Sequence, residues 1–172
     1  MQRVLVIGPG GAGKSYFAKQ LAARTGLPVT HLDALYWSSG WVAQAREAWR
    51  AQVGEVVASD RWILDGNYGG TLDLRLAACD TVVFLDLPRW VCLRRVLGRW
   101  WSYRGQSRPD MRPGCPERLT WEFLYWIWTY PMARRPAILQ RLGEAESTVQ
   151  VVRLRSVRMV ADYLAGVDGR AI

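Results

Sequence analysis

One histidine, three cysteines and two lysines are a thin supply of soft ligands and small cations for a chain of 172 residues. The cysteines, Cys79, Cys92 and Cys115, are far apart and odd in number. They lay out neither a disulfide framework nor a zinc site. A reduced, cytoplasmic setting is the expectation. The single histidine, His31, stands among apolar neighbours and reads as a core or strand-end residue rather than a catalytic one. Long apolar runs are also missing. No segment approaches the roughly 20 residues that cross a bilayer, and the most apolar stretch, Trp121 to Tyr130, contains Glu122. No membrane partner is expected. The N-terminus enters a strand-like run directly, without a signal-peptide layout. Lys14 and Lys19 stand against 21 arginines, a skew that reflects genome composition and carries no mechanism.

What is present is more telling. Gly8-Pro9-Gly10-Gly11-Ala12-Gly13-Lys14-Ser15 fits G-x-x-x-x-G-K-[ST] at every fixed position. Val4 to Ile7 precedes it as an apolar run, and Tyr16 to Ala22 follows with helical spacing. Strand, glycine loop and helix in that order form a phosphate-binding P-loop. Glycines let the backbone bring its N–H groups against phosphate oxygens. The helix start aims its unsatisfied N–H groups and positive dipole end at the same anion. Lys14 is the candidate for the β- and γ-phosphates and Ser15 for Mg²⁺. Gly8, Gly10, Gly11, Ala12, Gly13, Lys14, Ser15 and Tyr16 are assigned to the nucleoside triphosphate.

Hydrophobic residues make up 50% of the chain, ordinary for a globular protein, and the length suits one domain over residues 1–172. The net charge of +8 is unevenly placed. Residues 89–141 hold 11 arginines and only Asp110, Glu117 and Glu122 as acids, so the whole excess lies there, together with six of the ten tryptophans. Three readings compete: an arginine-rich lid over phosphates, a nucleic-acid footprint of interleaved basic and aromatic groups, and a solvated basic face. The lid reading, over about residues 103–135, agrees with a triphosphate loop that needs neutralising charge.

Strand and helix patterns alternate. Strands are predicted at 3–7, 28–32, 62–64, 81–85 and 149–154, and helices at 14–24, 41–58, 71–78, from Pro88 to about Trp101, at 117–141 and at 157–164. The long helix at 117–141 is expected to be interrupted near Pro131 and Pro136. The fold class is α/β, a P-loop NTPase three-layer sandwich. It has a five-stranded parallel sheet with helices on both faces, and an Arg/Trp-rich lid. Ligands then sit at the carboxyl ends of the strands. Those ends carry Asp33, Asp65, Asp86 and Arg155 beside the loop. Asp86, before Leu87-Pro88, reads as a helix N-cap.

The P-loop, His31-Leu32-Asp33, Trp62 to Tyr68 and Arg95-Val96-Leu97-Gly98-Arg99 occur in that order. Over roughly residues 1–165 they resemble the adenylate-kinase-like branch of P-loop kinases, nearest the group called topology modulation proteins. The resemblance implies an ATP-dependent phosphotransferase using Mg²⁺. It makes Arg95 and Arg99 the pair beside the nucleotide phosphates. Arg134 and Arg135 become the arginines that return to the transferring phosphoryl group, with Arg108 and Arg112 as weaker candidates. The stretch around Arg155 would pass beside the adenine.

The departures from that branch are informative. Where adenylate kinases place Gly-Phe-Pro-Arg after the strand-end acid, this chain has Asp65-Gly66-Asn67-Tyr68. Asp33 is followed by Ala34-Leu35-Tyr36-Trp37, without an arginine. Arg75 is the one nearby arginine that would compensate. These departures argue against AMP and for a neutral or ring-bearing acceptor with a hydroxyl. Asp33 is the candidate base or acceptor ligand, against a structural acid at the start of the next helix. Asp65 is the candidate to hold water on Mg²⁺, against a turn-forming Asp-Gly. Tyr36, Trp37, Asp65, Gly66, Asn67, Tyr68 and Arg75 are assigned with Asp33 to the acceptor, with Trp41 beside them. Catalysis is assigned to Lys14, Asp33, Arg99, Arg134 and Arg135. A nucleotide-dependent DNA-binding regulator and a polynucleotide-end kinase remain as rivals. Nucleic acid is thus the less favoured partner, and a monomer or weak homodimer is expected.

Overall fold

A computed structural model describes residues 1–167. Five parallel strands form its centre: β1 (Arg3–Ile7), β2 (Val29–His31), β5 (Trp62–Asp65), β6 (Thr81–Leu85) and β7 (Gln150–Leu154), in the order β2-β5-β1-β6-β7. The central three, β1, β5 and β6, were legible as short apolar runs, because a strand covered on both faces has no polar side to show, whereas the edge strands β2 and β7 mix in polar residues. Alternate residues point to opposite faces. Val4, Val6, Val83 and Leu85 enter one core with Phe17 and Leu21 of α1 (Lys14–Thr25). Leu5, Ile7, Val82 and Phe84 enter the other with Trp49 and Val53 of α3 (Arg46–Val57). Each fully buried aliphatic or Phe side chain contributes about 1.5–3 kcal/mol. The sheet is thereby a rigid base for the loops at its carboxyl edge.

The remaining helices are α2 (Leu32–Tyr36), α4 (Leu72–Ala78), α5 (Arg89–Ser102), α6 (Trp121–Ala133), α7 (Arg135–Ala145) and α8 (Val157–Val167). Two helical expectations need correction. Residues 41–45 are not helical. Trp37–Ser38 (β3) and Val42–Ala43 (β4) pair antiparallel around Ser39-Gly40-Trp41, and helix begins at Arg46. Gly40 adopts φ 78, and the Ser-Gly turn signal outweighs the helical spacing of Trp41, Ala45 and Trp49. The 117–141 helix begins at Trp121, where the Thr120 hydroxyl accepts from the Phe123 N–H at 3.2 Å. Pro131 lies inside α6 without ending it, and the break falls at Arg134. Pro136 sits in the first turn of α7, where its missing N–H costs nothing.

No helix among the described residues is long and apolar enough to cross a membrane. Only residues 103–120 of the predicted lid form a covering loop, closed on itself where Ser107 meets Pro116 and the Glu117 N–H donates to Gln106 O at 2.8 Å. α6 belongs to the body: Ile127 and Tyr130 are buried in the two cores.

Candidate active site

The loop at residues 8–13 leaves β1 and enters α1 at the centre of the sheet's carboxyl edge. Helix α1 has no side-chain cap and no acid in its first turn, so its leading N–H groups are left for an anion. Gly11 has φ 79, and a Cβ there would overlap the Cys92 carbonyl of α5. Only glycine lets the loop pass so close to that helix. The Lys14 ammonium donates to the Gly8 and Pro9 carbonyls at 3.0 and 3.2 Å. Burial holds its pKa below the usual lysine range, with Asp33 and Asp65 acting in the opposite sense. Arg95 braces the loop from α5, donating to Ala12 O at 2.9 Å.

Asn67 grips the loop as well. Its Oδ1 accepts from the Gly8 N–H at 3.0 Å and its Nδ2 donates to the Gly8 carbonyl at 2.6 Å. The amide expected to bind an acceptor is thus committed at both ends to the P-loop backbone. Arg75 is corrected in the same way. It is fully buried and donates to the carbonyls of Gly66, Asn67 and Tyr68 at 2.9, 2.6 and 2.7 Å. Its guanidinium shapes the 66–68 turn and is not available to an acceptor phosphate. Asp65 is buried, and its Oδ2 lies 2.9 Å from His31 Nδ1, which gives the lone histidine the strand-end role read for it.

Asp33 sits in the first turn of α2 rather than at a bare strand end. It accepts from the Tyr68 hydroxyl at 2.6 Å. Burial, then the Asp33 charge, push the Tyr68 pKa upward, so the phenol stays a donor. Tyr36 packs on Tyr68 and Trp37 at centroid distances of 4.7 and 4.9 Å, and Trp37 on Trp41 at 5.4 Å. Trp41 (φ 64) and Tyr68 (φ 24) have positive φ without being glycine. A residue held there stores about 1–3 kcal/mol of strain.

The covering loop brings Arg108 to the cleft and adds two acids that sequence reasoning passed over. Glu117, only 8% exposed, places one oxygen 2.8 Å from Arg99 and the other 2.8 Å from Arg108. Arg108 also pairs with Asp110 at 3.0 Å. Burial acts to raise the Asp110 pKa, but Arg108 and a hydrogen bond from Ser15 outweigh it and the net direction is down. Glu117 lies 18 and 9 residues from its partners, so no local pattern advertises it.

Three other candidates do not reach the cleft. Arg135 stands 3.8 Å from Asp86, which also binds Arg153 at 2.6 Å. Asp86 is therefore an ion-pair acid, not the expected cap, and the residue at the start of α5 is Pro88. Arg134 opens on a shallow hollow with Trp121, Tyr125 and Met132 on the outer side of α6. Arg155 is exposed, and Val157, Val160 and Leu164 of α8 wall the cleft instead. Trp121, 83% exposed, and Trp101 point away from the cleft as well, so the basic and aromatic third is split between cleft and surface.

The P-loop, Arg95, Arg99 and Arg108 share one cavity of about 1290 Å³ with Asp33, Trp37, Trp41, Gly66, Asn67 and Tyr68. Lys19, Gln20 and Arg24 of α1 line its far end opposite α8. Their spacing from Tyr16 on one helix face was the signal available for them.

No protein-family model matches the chain, and no curated protein matches it. Solved structures do. A sugar kinase from Janibacter sp. HTCC2649 aligns over 99% of this chain and 91% of its own, with TM-score 0.54 and 17% identity. A gluconokinase from Sinorhizobium meliloti 1021 aligns over 96% and 91%, with TM-score 0.55 and 20% identity. A shikimate kinase from Bacteroides thetaiotaomicron aligns over 98% and 96%, with TM-score 0.54 and 17% identity. The chain thus has the fold of P-loop kinases, with its five-stranded parallel sheet flanked by helices.

Proposed function

We propose that this chain is a kinase that transfers the γ-phosphoryl group of Mg-ATP to a hydroxyl of a small molecule. One observation carries the reading: an uncapped glycine-loop helix start and a carboxylate, Asp33, face one cavity covered by a loop that holds Arg108 beside Arg99. The likeness in fold to a sugar kinase, a gluconokinase and a shikimate kinase supports it. The order of motifs along the chain favours a place near the topology modulation group.

The residues fit a triphosphate. A Cβ at Gly11 would strike the Cys92 carbonyl, so the loop keeps its course only with glycine there, and the first N–H groups of α1 have no side-chain partner. Among the described residues no cluster of three or more His, Cys, Asp or Glu is found. Mg²⁺ would be held by the Ser15 hydroxyl, phosphate oxygens and water, with Asp65 behind the water. The metal ion supplies charge neutralisation on the phosphates. Lys14, Arg99 and Arg108 add cationic charge on the same side, and Asp33 takes the acceptor proton. ATP is preferred to GTP on the resemblance alone.

The test is ADP release from Mg-ATP with a panel of acceptors, alongside ATP binding by calorimetry. Lys14→Ala lowers turnover by at least about 100-fold, the scale of removing one transition-state donor. Asp33→Asn lowers transfer by about 100-fold or more while ATP affinity holds. Unchanged ATP affinity and turnover in Lys14→Ala would sink the proposal.

A further inference from the structure

Both positive-φ residues other than glycine in the described backbone, Trp41 and Tyr68, line the same cavity as Asp33. Backbone outliers held by their surroundings cluster where a ligand is clamped. Trp41 is held firmly: its N–H donates to Ser38 O and its indole Nε1 to Pro116 O, both at 3.1 Å. Tyr68 is wedged between Tyr36 and Trp49, with centroids at 4.7 and 5.0 Å, and its hydroxyl reaches Asp33. Trp37 and Trp41 are half-buried and complete an aromatic wall beside that carboxylate.

Most charges beside this wall are already engaged. Arg75 faces backbone carbonyls, and both ends of the Asn67 amide are used by Gly8. Arg108 is paired with Asp110 and Glu117, and Arg118 is stacked on the Trp41 ring at 4.5 Å. Among the described residues Asp33 makes no ion pair, and one of its oxygens is committed to Tyr68. At the open oxygen of Asp33 a carboxylate or phosphate on the acceptor would meet like charge, and Arg118, held over the Trp41 ring, is the one guanidinium of that wall outside an ion pair among the described residues. A cation would meet Arg118 beside Trp41 and Lys14 beside the P-loop.

We propose that the acceptor is an uncharged ring compound carrying hydroxyls, of the cyclitol or pyranose class. Its C–H face lies on Trp37 and Trp41 and one hydroxyl meets the open oxygen of Asp33. The inference rests on the phosphotransfer reading above. The acceptor oxygen bonds to the γ-phosphorus as the bond from that phosphorus to the ADP oxygen breaks. The hydroxyl proton passes to the Asp33 carboxylate and then to water, and ADP leaves with the bonding pair. An aromatic face suits such a ring because it buries C–H surface while hydroxyls at the edge keep their hydrogen bonds.

The experiment measures Mg-ATP binding by calorimetry first, then ADP release with myo-inositol, glucose, gluconate, shikimate, AMP and glucosamine at equal concentration. The expected result is stimulation of about tenfold or more by a neutral ring. Trp37→Ala then raises the acceptor KM by about tenfold with the ATP KM changed less than about twofold. Trp41→Phe, a smaller change, shifts the same KM if Trp37→Ala fails to fold. Stimulation by gluconate, shikimate, AMP or glucosamine in place of a neutral ring overturns the class and leaves the kinase reading standing. Normal Mg-ATP binding with no response to either neutral ring also overturns it. Absence of Mg-ATP binding is instead the failure of the kinase reading itself.

Discussion

Arg75→Met separates a buried clamp from a ligand group. The wild-type guanidinium is fully buried, and burial holds its pKa down to about 10, so it remains charged at neutral pH. It donates to three carbonyls of the 66–68 turn and, more loosely, to Thr71 O at 3.3 Å. Methionine fills much of the volume but donates nothing. Three buried carbonyls lose their partner, at about 1–1.5 kcal/mol each, for a total near 3–5 kcal/mol. A domain of this size holds about 5–15 kcal/mol in all. The melting temperature therefore falls by about 10 °C, at roughly 2–4 °C per kcal/mol for this chain length. Differential scanning calorimetry reads the shift, and ADP-release kinetics read the consequence. A loosened turn frees Asn67 from Gly8 and Tyr68 from Asp33, so both substrate KM values rise together. A variant that melts within about 2 °C of wild type, with only the acceptor KM raised, refutes the clamp and returns Arg75 to the acceptor site.

Asn67→Ala removes both contacts to Gly8 and, at about 1 kcal/mol per hydrogen bond, weakens Mg-ATP binding by up to roughly 30-fold in calorimetry. Glu117→Gln leaves Arg99 and Arg108 with one neutral amide between them. Turnover falls by about tenfold or more while the acceptor KM changes little, as steady-state kinetics in both substrates would show. Burial pushes the Cys79 and Cys92 thiols up to about 11. An acid whose pKa is raised by folding keeps its stabilising share below the unfolded value and loses it as pH rises through the folded one. Chemical denaturation midpoints stay flat to about pH 8, near the free thiol value, and decline above it. In the native state at pH 8, alkylation leaves both thiols untouched and labels them only after denaturant is added.

The central strands and the P-loop were legible because their signals are local: a continuous apolar run, and glycines beside a Lys-Ser pair. Asp33 and the aromatic residues after it were legible as a departure from a known pattern. Asn67 and Arg75 were misread because their partners are backbone carbonyls and amides, which are the same for every sequence. Glu117 was missed because its meaning lies in Arg99 and Arg108, which only folding brings to it. The hairpin at 37–43 was lost because Trp41, Ala45 and Trp49 imitate a helix face, and only Gly40 speaks against it. Arg134 and Arg135 failed for want of phase. A break at Arg134 turns one outward and the other towards Asp86.

The hairpin and the covering loop are stitched along one seam. Gly40 N–H donates to Gly114 O at 2.8 Å, the Trp41 indole to Pro116 O at 3.1 Å, and the Cys115 thiol to Ser38 O at 3.3 Å. Arg118 lies across the Trp41 ring. Under the proposed function one piece would roof the phosphates and the other wall the acceptor, and neither opens alone without breaking the seam. Such a joint makes thrift a matter of carpentry. Water would be shut out from nucleotide and acceptor in a single movement, and idle consumption of ATP would rise as the seam is cut.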